Sequence, residues 1–211
     1  MRKSFLNYRH NLFFDMNAVI RGMIASDVIF MGSLGLIGPI FALFVVDFIE
    51  GADASVVGTA VAIFFLTKSL LQLPFATLID AIKGEMDDFW ILIIGSLVTA
   101  CIPLLYLVIG SPGELYLVQL IYGIATAATF PSYMAIYTRH IDKQKEGSEW
   151  GMYYMMTDFT AAVTASLGGY LAQSIGFQPL IVIVVVMSVL GISILIPLRP
   201  YMQKAKKRRH V

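Results

Sequence analysis

Six apolar stretches, each close to the ~20 residues a helix needs to cross a hydrocarbon core, dominate the sequence. They run approximately over 22–46, 55–79, 89–109, 115–138, 150–174 and 178–198, joined by short connections. Segments of that length and composition read as membrane-spanning helices, and short connections make consecutive helices antiparallel neighbours. Composition agrees: 58% of the 211 residues are hydrophobic and 14% are charged, where a soluble domain carries roughly a quarter charged. The predicted fold class is an all-α membrane protein with six transmembrane helices.

Three regions follow. Residues 1–20 mix Arg2, Lys3, Arg9, His10 and Asp15 with Phe5, Leu6, Phe13 and Phe14, the pattern of an amphipathic segment at a membrane surface. No short apolar core with a small-residue cleavage site is present there, so no removable signal peptide is read. Residues 21–198 form the six-helix domain, and 199–211 form a basic tail. Apart from Lys68, the Lys and Arg residues fall before the first helix, after the sixth, or in the connections after the second and fourth. The connections 47–54, 110–114 and 175–177 have none. The positive-inside rule then places both termini in the cytoplasm of a multi-pass cell (inner) membrane protein.

The second helix carries Lys68 near its middle. A cation there is costly and faces a partner or a watery cavity. In the fourth helix Gln119, Tyr122, Thr126, Phe130, Tyr133 and Tyr137 recur every three or four residues and share one face. Two readings stand for this stripe: a helix–helix seam with hydroxyls bonded across it, or the wall of a cavity that stacks on a small solute. The fifth helix adds Asp158, with Thr157, Thr160 and Thr164. The first carries Asp27 about two turns inside Arg21, where snorkelling or an interfacial cap is the leading reading. Either acid can carry a proton. Gly32, Gly35, Gly38 and Pro39 in the first helix, with Gly123 and Pro131 in the fourth, suit ordinary close packing and equally a pair of interrupted helices at a transport site.

Enzymatic chemistry is not expected. No Gly-x-Ser-x-Gly elbow, His-Glu-x-x-His or phosphate-binding loop occurs. His10, His140 and His210 are too scattered for a metal site, and Cys101 is the sole cysteine. No cofactor, metal or nucleic acid is called for.

These residues resemble one half of a major facilitator superfamily transporter. Six helices with both ends on one side match a half of that fold, two inverted triplets of three. The connection after the second helix is similar to the family's loop signature through Ala76, Asp80, Lys83 and Gly84, with Ala81 where a basic residue usually follows the Asp. Gly123 and Pro131, and the run Leu167-Gly168-Gly169-Tyr170-Leu171, also resemble the family. Gln119 stands where an arginine is often found, and Thr160, Thr164 and Ala165 replace the glycine-proline signature of drug antiporters.

The resemblance implies secondary active transport of a small organic solute by alternating access, with proton or sodium coupling. Its binding face would be the fourth-helix stripe, and Asp80, Lys83 and Gly84 would form a gating loop. Family members usually join two such halves, so a parallel homodimer in the lipid bilayer is expected to complete the cavity. Half of a heterodimer and a non-transporting receptor or assembly factor are the alternatives. Lys68 lies twelve residues before Asp80 and Asp158 nine after Glu149, roughly 18 and 13 Å into their helices. In the family fold the second helix of one half packs on the fifth-helix equivalent of the other, which directs Lys68 towards Asp158 of a second copy. The alternatives are a static pair, or a Lys68 that meets only water and carbonyls.

Cysteines placed in 47–54 or 110–114 should react with an impermeant thiol reagent from outside the cell, and cysteines in 140–147 should not. Labelling of both sets from one side would contradict the orientation.

Overall fold

The computed structural model describes residues 13–82 and 84–202. Most of the amphipathic segment, His10, Lys83, the basic run 204–209 and His210 lie outside the described residues.

The first span is two helices, α1 (Ala18–Gly35) and α2 (Phe41–Phe48), joined through a 3-10 turn at Gly38–Ile40. Asn17 starts α1: its side-chain oxygen accepts the Ile20 N–H at 3.0 Å, satisfying one of the orphan donors of a helix N-terminus. At the other end the Leu36 and Ile37 N–H groups bond only three residues back, to Ser33 and Leu34. Pro39 follows, and a proline has no N–H with which to continue the ladder. Next come α3 (Ala54–Ala81), α4 (Met86–Leu105), α5 (Pro112–His140), α6 (Glu146–Ile175) and α7 (Phe177–Ser193), then a 3-10 turn at Ile196–Tyr201. Asp53 caps α3; the Ser55 hydroxyl and the Val56 N–H hold its carboxyl below the usual range. Ser111 and Glu114 cap α5 reciprocally.

One expectation is corrected. α5 runs unbroken through Gly123 and Pro131, so the first and fourth spans are not both interrupted. The six expected segments each fall on a helical span, and among the described residues five of these are long and apolar enough to cross a membrane by length and composition: Ala18–Phe48, Ala54–Ala81, Met86–Leu105, Pro112–His140 and Phe177–Tyr201. The remaining one, α6, has 30 residues, about 45 Å at 1.5 Å each. Thr157, Asp158, Thr160 and Thr164 make it too polar to join that set. It turns into α7 through Gly176 alone, at φ 85°, a left-handed conformation that glycine adopts without strain.

The helices alternate in direction between two ends. At one, the Asn17 amide donates to the His140 carbonyl at 2.6 Å and to Asp142 at 3.2 Å, and Lys145 reaches the Asp15 carbonyl at 3.4 Å. At the other, the Glu50 N–H donates to the Gly110 carbonyl at 3.1 Å, and the Phe48 and Phe177 rings meet at 5.2 Å. Each end has its own apolar cluster, one around Ile20, Met23 and Tyr137, the other around Val45, Leu115 and Leu180.

The packing repeats. α3 lies on α5 as α6 lies on α1, and α4 lies on α5 as α7 lies on α1. The self-related pairs α4–α7 and α1–α5 also touch. Exchanging the triplet α1/α2–α3–α4 with α5–α6–α7 leaves this pattern unchanged, as two inverted triplets require. Glycines mark all four repeated seams. A Cβ on Gly123 would fall 2.7 Å from Thr67 of α3, and one on Gly32 would fall 2.5 Å from Thr160 of α6. A Cβ on Gly95 would strike Thr129 of α5, and one on Gly191 would lie 2.9 Å from the Phe30 nitrogen of α1. α6 comes closest at Gly168, where a Cβ would run into the Leu36 carbonyl group.

Adjacent glycines test this seam. Gly168→Leu should lower stability by at least ~1–3 kcal/mol, the usual cost of overpacking. Gly169→Leu, with nothing within 4 Å of its Cβ position, should change it little. Thermal unfolding of the two variants in detergent, followed by chromatographic monodispersity, makes the comparison; equal losses would contradict it.

Candidate functional site

Between the two apolar clusters lies a cavity of about 180 Å³. α1 presents Asp27, Phe30, Met31 and Leu34 to it, the i, i+3, i+4, i+7 spacing of one helical face. α4 contributes Leu92, Ser96 and Thr99, α3 contributes Lys68, and α6 contributes Tyr153. α5 contributes Tyr122, Thr126, Thr129, Phe130 and Tyr133. A second cleft of about 350 Å³ adjoins it across Leu34, Thr99 and Tyr122 and includes Gln119.

The fourth-helix stripe is thus divided. Tyr122, Thr126, Phe130 and Tyr133 share the cavity with Asp27 and Lys68. Gln119 belongs to the adjoining cleft and donates to the Tyr106 hydroxyl at 3.2 Å. Tyr137 lines neither. Its ring packs on Trp150 at 4.6 Å and its hydroxyl donates to the Glu149 carbonyl at 2.9 Å, a seam between α5 and α6. Thr126 and Thr129 donate to carbonyls in their own helix, at 2.9 and 2.7 Å, so their hydroxyl protons are already used. The Tyr133 and Thr99 hydroxyls are buried and have no hydrogen-bond partner among the described residues.

The two acids exchange the positions expected of them. Asp27 is 7% exposed, and its carboxylate accepts the Tyr153 hydroxyl at 2.9 Å. It is no interfacial cap: Asn17 caps α1, and Arg21 reaches back to the Phe14 carbonyl at 3.4 Å. The polar rim is therefore at 14–17, and Asp27 is ten residues, roughly 15 Å, further in. Asp158 is exposed on the outer side of α6, with no ion pair among the described residues. Lys68 is half-buried, its ammonium 5.1 Å from the centre of the Phe130 ring, a cation–π contact.

Of the expected gating loop, Asp80 is exposed, Lys83 lies outside the described residues, and Gly84 has φ 123°. The charges that tie this end together are others. Arg139 of α5 pairs with the buried Asp88 of α4 and reaches the Gly84 carbonyl at 3.5 Å. The Asn17 amide and Lys145 hold Asp142 below the usual carboxylate range. That contribution to stability is present at neutral pH and is lost as pH falls through the depressed pKa. Sequence reasoning missed Asp88 and Tyr153. The acidic pair Asp87-Asp88 opening an apolar run was a signal for the first. Tyr153, inside the aromatic cluster Trp150–Tyr154, had none that distinguished it.

No curated protein matches the chain. A family profile described as Major Facilitator Superfamily matches residues 23–210, which takes in α1 from Met23 on, α2 to α7 and the whole cavity lining. The match covers most of the sequence, and the paired triplets are the packing of one half of that fold. The chain therefore belongs to the Major Facilitator Superfamily and is a multi-pass membrane transport protein.

Proposed function

We propose that the chain is a secondary active transporter of a small organic solute, working by alternating access as a parallel homodimer in the cell membrane. The observation that carries this reading is Asp27. Burying a carboxylate among apolar helices is costly unless it is neutralised, and one tyrosine hydroxyl does not neutralise it. A proton, a sodium ion or a cationic group of the solute completes the site, which makes Asp27 the point of coupling.

The homodimer reading is supported by the outer helices. α3 buries little beyond Ala60 and Ile79, and α6 little beyond Glu149, Tyr153 and Gly168. Both carry a polar or charged residue at mid-depth. Lys68 is thirteen residues from the Ala81 end of α3, and Asp158 is twelve from the Glu146 end of α6, roughly 20 and 18 Å. A second copy in the same orientation, with its α6 against this α3, pairs the two and covers groups that lipid does not solvate. The pair opens when solute takes Lys68. Cytoplasmic termini are supported by the placement of Arg21, Arg139, Lys143, Lys145 and Arg199 near the Asn17 end of the bundle.

In proteoliposomes, Asp27→Asn should reduce solute flux at least about tenfold, the scale of ~1.5–3 kcal/mol for a hydrogen bond to a charged group. Unchanged flux would remove Asp27 from the mechanism. Native mass spectrometry in mild detergent should find two chains, and cysteines replacing Lys68 and Asp158 should crosslink between copies. A monomer that transports at every dilution would overturn the dimer.

A further inference from the structure

We propose that the cavity binds a small zwitterion with an apolar side chain, an amino acid in chemical class; this rests on the transport reading above. The argument begins with charge. Asp27 and Lys68 line the same cavity, yet no ion pair forms between them within 4.0 Å, and neither pairs with another charge among the described residues. Asp27 is held by Tyr153 and Lys68 rests on Phe130. Within one copy, two opposite charges are thus held apart in a site of low dielectric, each under-compensated; in the dimer the solute's carboxylate takes Lys68 from Asp158 of the second copy.

A single ligand satisfies both charges when it carries both complementary groups. An organic cation answers Asp27 and is repelled by Lys68; an anion does the reverse; a neutral sugar answers neither charge. A molecule carrying an ammonium and a carboxylate meets Asp27 with the first and Lys68 with the second. The unpartnered hydroxyls of Tyr133 and Thr99, on residues 6% and 4% exposed, supply further polar contacts inside the same cavity.

Size and shape narrow the class. About 180 Å³ is below the roughly 300–1,000 Å³ of sites for drug-sized ligands. The adjoining cleft is walled by Leu34, Ile37, Phe41 and Ile102, which suits an aliphatic side chain leaving the charged end in the cavity.

The test uses three matched probes on the purified full chain in detergent: L-leucine, 3-methylbutylamine (leucine without its carboxylate) and 4-methylpentanoate (leucine without its ammonium). Calorimetric titration should show leucine binding at least tenfold tighter than either. Asp27→Asn should bring leucine down to the level of 4-methylpentanoate, and Lys68→Met should bring it down to that of the amine. Wild-type binding of the amine equal to that of leucine overturns the assignment. So does the absence of saturable leucine binding, or leucine affinity unchanged in both variants. The wild-type series decides the matter should either variant fail to fold. Saturable leucine binding without flux in proteoliposomes leaves the assignment standing and removes transport. Flux of a different solute, with leucine inert, removes the assignment and leaves transport.

Discussion

Within a bilayer, helices gain nothing by hiding apolar surface from lipid, so the bundle depends on how closely its helices can approach one another. Glycines set that approach at Gly32, Gly95, Gly123 and Gly191, with threonines opposite three of them. The seams fall at corresponding places in the two triplets, so the same local solution is used twice. This packing fixes where α1 and α5 face each other, and hence where the cavity is. Moving α6 outward by one side-chain layer at Gly168 would take Tyr153 away from Asp27.

The cavity follows from a conflict between that packing and polarity. The two apolar clusters fill the ends of the bundle, and the polar side chains of α1, α4 and α5 collect between them. The Thr126 and Thr129 hydroxyls bond to carbonyls within their own helix, the low-cost arrangement in lipid. Those of Tyr133 and Thr99 do not. In this cavity Asp27 and Lys68 have no ion pair, and these two hydroxyls no hydrogen-bond partner, among the described residues.

Much of the fold was legible in the sequence because length and hydropathy are one-dimensional properties. The six segments, their alternation and the resemblance to one half of a larger transporter needed only residue order. The site was half legible. Helical periodicity put Tyr122, Thr126, Phe130 and Tyr133 on one face, and the isolated charge singled out Lys68. It could not separate Tyr137, which the same periodicity includes but which Trp150 and Glu149 occupy. Depth was misjudged for the acids because Arg21 was taken as the membrane rim, while the cap is at Asn17. Asp158 looked deep along α6, but depth along a helix does not say which way a side chain faces. Pro131 misled for another reason: a proline removes one hydrogen bond, and α5 absorbs the loss without breaking.

Gly176 has a mechanical consequence. As the sole residue between α6 and α7, it is a fulcrum, while the far end of α6 is joined to α5 by the longer stretch 141–145. Tyr153 lies 23 residues along this lever, roughly 34 Å from the fulcrum at 1.5 Å per residue. A tilt of about 2° there displaces it by about 1 Å over that arm. That suffices to stretch a 2.9 Å hydrogen bond past its useful range. The hold on the buried carboxylate is therefore sensitive to a rotation too small to disturb the packing near the joint, and α6 converts angle into the making or breaking of one bond.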